Sequence, residues 1–202
     1  MVTAAGRRAS LHADKGRMHM IQRIAAAALL VASPASAEVT ALTPASFVIE
    51  SSVTADVPIA QVWETLRSPQ RWWNPEHTYS GDSANLYLDA QATGCFCERT
   101  PKDKGSIEHA HVVYVAPGRM IRMVGALGPL QAEAVTATLS FKLDAQGAGA
   151  TKVTMTYVVG GHMRQGGEAL APLVDKVLGD QLARLKSAAE AGPPVDIGEP
   201  VK

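Results

Sequence analysis

The stretch LAPLVDKVLGDQLARL, residues 170–185, carries apolar residues at spacings of three and four. The apolar set is Leu170, Leu173, Val174, Val177, Leu178, Leu182 and Leu185. Charged residues occupy the opposite face, so the period predicts one long amphipathic helix. Such a helix has to bury its stripe, and the rest of the chain must therefore supply a large dry surface.

Upstream of this helix, several segments in which apolar and polar residues alternate predict that surface. The predicted strands are residues 84–90, 94–100, 106–115, 119–125, 135–144 and 151–160. Glycine, proline and aspartate mark the reversals between them. In the last two strands apolar residues alternate with Thr, Ser and Lys, which indicates one dry face and one wet face. We therefore expect an antiparallel meander whose dry face covers the long helix.

A strand and two short helices precede the meander. Alternation over residues 47–55 predicts the strand, and Asp56 is placed to cap a helix with Pro58 in its first turn. The apolar stripe of that helix is Ile59, Val62, Trp63 and Leu66. Pro69 ends this helix and starts a second short helical turn, and Pro75 breaks the chain again after that turn. The predicted class is α+β.

The first 37 residues have the pattern of a leader that ends in a cleavable signal peptide. Arg23 precedes an apolar run at 24–31, and small residues lead to an expected cleavage after Ala37. The run has eight residues, whereas a membrane span needs about 20, so we expect no stable membrane span after cleavage. We expect the protein to be periplasmic or secreted. The predicted parts are a leader at 1–37, a linker at 38–45, the α+β domain at 46–191 and a disordered tail at 192–202.

The charge balance argues against a nucleic-acid partner. Removing the five basic residues and one acidic residue of the leader leaves 14 basic residues against 18 acidic ones. A chain with this balance lacks the basic stripe that neutralises phosphates. The sequence also lacks a Gly-x-Ser-x-Gly elbow, a phosphate-binding glycine loop and a His-Glu-x-x-His pair.

The order of these elements resembles the START-like, or SRPBCC, superfamily. The chain is most similar to the branch that holds bacterial polyketide-cyclase-like proteins and homologues of the activator of the heat-shock-protein-90 ATPase. The local matches are VPIAQVWE at 57–64, RWW at 71–73, Gly94-x-Phe96 and YVAPGR at 114–119. The resemblance covers roughly residues 46 to 190. It implies a helix-grip fold, in which a curved sheet wraps around the last helix and encloses a pocket for lipids, polyketides, hormones or other apolar molecules. The leader and the Cys-x-Cys strand argue against a cytoplasmic co-chaperone role.

In this fold, one aromatic stretch would form the lid of the pocket. The predicted ligand-binding residues are Trp72, Trp73, His77 and Tyr79 in that stretch, and Tyr157 on the dry strand face. Their rings are suited to stacking on a ligand or closing over it. The alternative is that Trp63 and Trp72 only cover one end of the core.

Two neighbouring strands carry a possible metal site. A hairpin turning about Asp103 would place Cys97 opposite His109 and Cys95 opposite His111, with all four side chains on one face. Two thiolates and two imidazoles suit zinc or cuprous copper, although the fold itself requires no cofactor. The alternatives are two buried cysteines that act as small apolar side chains, or a strained disulfide between them.

The same two strands carry the candidate catalytic residues Glu98, Glu108 and His109. A carboxylate buried in the pocket would have a raised pKa and could move protons near neutral pH. The alternative is that these carboxylates face solvent or pair with an arginine.

The leading hypothesis for the function is an exported binding protein for a small apolar molecule or lipid. The other two are a metal-binding module and a cyclase-like or hydrolase-like enzyme.

Overall fold

The computed structural model describes residues 37–147 and 149–192 of the chain. The predicted leader and tail lie outside these residues, except for Ala37 and Gly192 at their borders. The described strands are β1 (Ala37–Thr43), β2 (Ser46–Ala55), β3 (Leu86–Leu88), β4 (Cys95–Thr100), β5 (Gly105–Ala116), β6 (Met120–Val124), β7 (Ala134–Gln146) and β8 (Ala150–His162). The α-helices are α1 (Ile59–Leu66) and α2 (Gly167–Ala191). Short 3-10 helices lie at Pro69–Arg71, Pro75–His77, Ser83–Asn85 and Gly128–Ala132.

The strands form one antiparallel sheet in the order β1-β2-β8-β7-β6-β5-β4-β3. From β3 to β8 each strand pairs with the next one along the chain, as the predicted meander requires. The strand predicted at 47–55, β2, pairs with β8 over its whole length, from Ser46 opposite Gly160 to Ala55 opposite Thr151. This pairing places the first strand of the predicted domain beside its last strand.

The predicted linker at 38–45 is wrong, because most of it belongs to β1. This strand pairs with β2, with Val39 opposite Ile49 and Thr43 opposite Ser46. The turn between them has two residues, and the Thr43 and Ser46 hydroxyls lie 2.8 Å apart across it. Backbone pairing with the edge of β2, rather than a strong apolar period, places this segment in the sheet.

The long helix packs on the sheet as expected, which confirms the helix-grip arrangement. Leu178, Leu182 and Leu185 are buried against a core that includes Phe47 and Ile49 of β2. A Cβ on Gly167 would lie 2.5 Å from the carbonyl oxygen of Thr43, so only glycine permits the helix to start this close to the β1–β2 turn.

Two local predictions in this part of the chain are wrong. Asp56 does not cap α1, because Pro58 is the N-cap residue and no side chain caps this helix. The Asp56 amide instead donates to the Glu190 carboxylate at 2.9 Å, which ties the end of β2 to the end of α2. The strand predicted at 84–90 shortens to β3, because residues 83–85 form a 3-10 helix that the Asp82 side chain caps. Among the described residues, no helix is long and apolar enough to cross a membrane.

Candidate functional site

A cavity of about 490 Å³ lies between the first half of α2, the 3-10 helix at Gly128–Ala132 and the segment 73–79, which we call the lid segment. This volume falls within the roughly 300–1,000 Å³ of small-molecule sites. Its walls are mainly apolar. They are formed by Trp73, Glu76, His77, Thr78, Tyr79, His109, Leu127, Gly128, Pro129, Leu130, Leu170, Leu173, Val174, Val177 and Leu178.

The apolar stripe of α2 has two roles along its length. Its second half is buried in the core, with Leu182 and Leu185 fully covered. Its first half lines the cavity, where Val177 is only partly buried and Leu173 is 62% exposed. The prediction that the whole stripe packs on the sheet therefore holds only for the second half. The first half leaves apolar surface available to a ligand.

Gln181 of α2 holds the lid segment in place. Its side chain is fully buried. The side-chain oxygen accepts a hydrogen bond from the Asn74 amide at 2.7 Å, and the side-chain nitrogen lies 2.9 Å from Nδ1 of His77. Sequence reasoning missed this residue. The available signal was a single polar residue within the apolar stripe, between Leu178 and Leu182.

Three of the five predicted ligand-binding residues, Trp73, His77 and Tyr79, line the cavity. Trp72 does not. It packs in the core, with its ring centroid 6.2 Å from that of Phe141. This placement matches the alternative in which the tryptophan covers the core, because the segment turns Trp72 inward and Trp73 towards the cavity.

Tyr157 is also absent from the cavity wall, so the prediction that its hydroxyl points into the cavity is wrong. The hydroxyl accepts a hydrogen bond from the Leu127 amide at 2.9 Å and lies 3.2 Å from the Gly125 carbonyl, to which it donates. Burial raises the pKa of this hydroxyl well above its usual range. Tyr157 therefore acts indirectly, because it fixes the loop that carries Leu127 into the cavity wall.

A β-bulge changes the predicted register of β4 and β5. Cys95 faces His111 as expected, but Cys97 faces Glu108, because the register shifts between Phe96 and Cys97. His109 is the extra residue on β5, and it is buried like its neighbour Ala110. The four predicted metal ligands therefore do not converge as expected.

The two cysteines form a disulfide with their Cα atoms 5.5 Å apart, the third of the alternatives considered for this pair. Neither thiol is then available as a thiolate ligand. In the described part of the chain, no three His, Cys, Asp or Glu side chains gather as a metal site. The predicted site of Cys95, Cys97, His109 and His111 is therefore wrong.

Glu98 and His109 come together at the cavity. The Glu98 side chain is fully buried, and one of its oxygens lies 2.9 Å from Nε2 of His109. The same carboxylate accepts hydrogen bonds from the amides of Tyr79, at 3.1 Å, and Ser80, at 2.5 Å. The pair therefore connects the cavity wall at His109 to the end of the lid segment.

The surroundings shift both pKa values downward. Burial alone raises the pKa of Glu98, but the hydrogen bonds from Ser80, Tyr79 and His109 outweigh it and lower this pKa. Burial lowers the pKa of His109 by more than the adjacent Glu98 carboxylate raises it. The pair thus consists of a carboxylate and a neutral imidazole at neutral pH.

Glu108 lies elsewhere. Its side chain is 58% exposed and pairs with His111 at 3.3 Å, because the extra residue of the bulge places Glu108 on the same face as His111. It is therefore not the desolvated cavity carboxylate that the sequence suggested. A catalytic role for Glu98 and His109 stays a prediction.

Comparisons with solved structures support the same fold. A conserved protein from Enterococcus faecalis is 11% identical, with a TM-score of 0.52 over 81% of this chain and 82% of that one. A protein from Rhizobium leguminosarum is 22% identical, with a TM-score of 0.51 over 79% of this chain and 99% of that one. The di-domain ARO/CYC protein BexL from the BE-7585A biosynthetic pathway is 14% identical, with a TM-score of 0.52 over 71% of this chain and 46% of that one.

The sequence comparisons agree with the resemblance to SRPBCC proteins. No curated protein matches the chain in a sequence search. A family model described as polyketide cyclase / dehydrase and lipid transport matches residues 46–190, which is most of the chain. The chain therefore belongs to this SRPBCC-type family of polyketide cyclases, dehydrases and lipid-transport proteins.

Proposed function

We propose that this chain is an exported binding protein for a small apolar or amphipathic molecule, such as a lipid. The observation that carries the proposal is the cavity of about 490 Å³. Its size suits one small molecule, and its walls combine aliphatic side chains with a few polar groups, as ligand sites usually do. The family, whose description includes lipid transport, agrees with this class of ligand.

The walls are held in position before any ligand binds. Gln181 fixes the lid segment to α2, and Tyr157 fixes the loop before the 3-10 helix at Gly128–Ala132. The Tyr79 hydroxyl connects the two sides, because it donates to the Gly128 carbonyl at 3.0 Å. A site that is already formed loses less conformational entropy when it binds its ligand.

Two features support export. The leader has the three regions of a signal peptide, and the Cys95–Cys97 disulfide suits an oxidising compartment. Cleavage after Ala37 would leave nearly all of β1 in the mature chain, because β1 begins at Ala37.

Mass spectrometry of the N-terminal peptide tests whether the leader is removed at this position. We expect a mature chain that starts at Glu38 in the periplasmic or secreted fraction, and an intact leader would contradict export.

Binding is tested with the fluorescent hydrocarbon 1,6-diphenylhexatriene and by native mass spectrometry of the purified protein. Val177→Trp fills part of the cavity and should weaken binding of the probe about tenfold or more. The matched control is Val158→Trp, because Val158 is 46% exposed and does not line the cavity. Equal binding by both variants, or no binding by the wild type, would reject the proposal.

A further inference from the structure

The hydrogen bonds of Glu98 determine which nitrogen of His109 carries a proton. The carboxylate accepts from two backbone amides, those of Tyr79 and Ser80, and lies 2.9 Å from Nε2 of His109. A carboxylate surrounded by donors stays ionised and can only accept. Nε2 must therefore be the protonated nitrogen of the ring.

The other ring nitrogen is then an unused acceptor. In a neutral imidazole with the proton on Nε2, Nδ1 carries a lone pair and no hydrogen. Burial lowers the pKa of His109, which favours this neutral form. The structure gives Nδ1 no hydrogen-bond partner within residues 37–147 and 149–192, although the side chain is only 7% exposed.

The free lone pair is accessible from the cavity. Aromatic rings pack close to the imidazole, with the centroid of Phe96 at 4.9 Å and that of Tyr79 at 5.9 Å. His109 nevertheless lines the cavity. Its Nδ1 atom is not among the fully covered side-chain atoms that lack a hydrogen-bond partner, so it keeps some accessible surface. The mainly apolar wall of the cavity thus includes a hydrogen-bond acceptor that no described residue satisfies.

We infer that Nδ1 of His109 is the polar anchor of the cavity, and that the ligand is an apolar molecule with a hydroxyl group, an alcohol, phenol or enol, at its buried end. This inference rests on the proposed binding function and adds the chemical class of the ligand. An O–H group donates to Nδ1 and satisfies it. A ligand carboxylate would bring a second negative charge close to Glu98, and a pure hydrocarbon would leave Nδ1 unpaired.

Three ligands of the same ring size test the inference at pH 7.5, with displacement of 1,6-diphenylhexatriene as the readout. They are 1-naphthol, naphthalene and 1-naphthoate, which present a hydroxyl, no polar group and a carboxylate. Wild-type protein should bind 1-naphthol about tenfold more tightly than naphthalene, because one buried hydrogen bond is worth about a factor of ten. It should bind 1-naphthoate most weakly.

His109→Phe keeps an aromatic ring but removes the acceptor, so we expect similar affinities for 1-naphthol and naphthalene. His109→Leu serves as a second variant, because leucine fills part of the same space and its side chain provides no hydrogen-bond acceptor. The matched control is His111→Phe on the same strand, where the side chain is 50% exposed and pairs with Glu108. It should keep the wild-type preference.

The outcomes separate the two proposals. If the wild type does not bind diphenylhexatriene, the binding function itself fails. If the wild type binds diphenylhexatriene but 1-naphthol displaces this probe no better than naphthalene does, the assignment of His109 fails alone. The assignment also fails if a folded His109 variant keeps the preference.

Discussion

Glu98→Gln replaces a buried carboxylate by an amide of nearly the same shape. The carboxylate is fully buried and interacts with the amides of Tyr79 and Ser80 and with Nε2 of His109. The glutamine oxygen can accept some of these bonds, but its NH₂ group must face at least one of the former donors. A hydrogen bond to a charged group contributes about 1.5–3 kcal/mol, and an orphaned buried donor costs about 1–3 kcal/mol. Removing a buried charge offsets part of this loss.

We therefore expect Glu98→Gln to lower the free energy of unfolding by about 3 kcal/mol at pH 7. For a domain of this size the loss corresponds to roughly 6–12 °C in Tm. Urea unfolding followed by tryptophan fluorescence measures the difference. Glu108→Gln is the matched control, because this side chain is 58% exposed on the neighbouring strand, and it should change stability by less than about 0.5 kcal/mol. Equal effects of the two substitutions would refute the role assigned to Glu98.

The pH dependence gives a second readout of the same substitution. The pKa of Glu98 is lower in the folded protein than in the unfolded chain, where it is about 4.3. The carboxylate therefore stabilises the fold fully above that value, and the contribution is lost as pH falls through the lowered pKa. The difference between wild type and Glu98→Gln should shrink between pH 5 and pH 3. A difference that stays constant over this range would contradict the assignment.

The contacts around the cavity support three further predictions. Tyr157→Phe leaves the Leu127 amide without its acceptor and should cost about 1–2 kcal/mol in urea unfolding, whereas Tyr114→Phe, at a side chain 47% exposed, should cost less than about 0.5 kcal/mol. Gln181→Leu releases the lid segment and should weaken diphenylhexatriene binding about fivefold with unchanged helix content by circular dichroism. The pKa of His109 is lowered by burial, so its contribution to stability is complete above about pH 6.5 and is lost as pH falls through the folded value. The drop in wild-type stability between pH 7 and pH 5.5 should therefore be smaller in His109→Phe, and an equal drop would contradict the burial of a neutral ring.

The local pattern of the chain predicted most of the architecture. Alternation located β2 and the strands of the meander, and the apolar stripe located α2, because both periods arise from the geometry of a single element against a dry surface. The same reasoning missed β1. The partner that holds β1 is the backbone of another strand, and backbone pairing leaves little trace in side-chain pattern.

Predictions about the site were more mixed. The sequence placed Glu98 and His109 on neighbouring strands and Trp73, His77 and Tyr79 in the lid segment, but it assigned Tyr157 to the cavity wall. The hydroxyl of Tyr157 instead bonds to a distant loop, since the bonds to Gly125 and Leu127 span 32 and 30 residues. Hydrogen-bond partners that lie so far apart in the sequence are set by the tertiary fold and leave no local sequence pattern.

By itself the sequence determined that a long amphipathic helix lies on an antiparallel sheet, and that this domain resembles SRPBCC proteins. Only the tertiary structure decided how the chemistry is arranged. One extra residue in β5 turns His109 inward to Glu98 and leaves Glu108 in solvent. It also removes His109 from its predicted place opposite Cys97, and the two cysteines bond to each other. The physical reason is that side chains alternate across a strand with a period of two, so a single unpaired residue reverses the face on which the next residues of that strand lie.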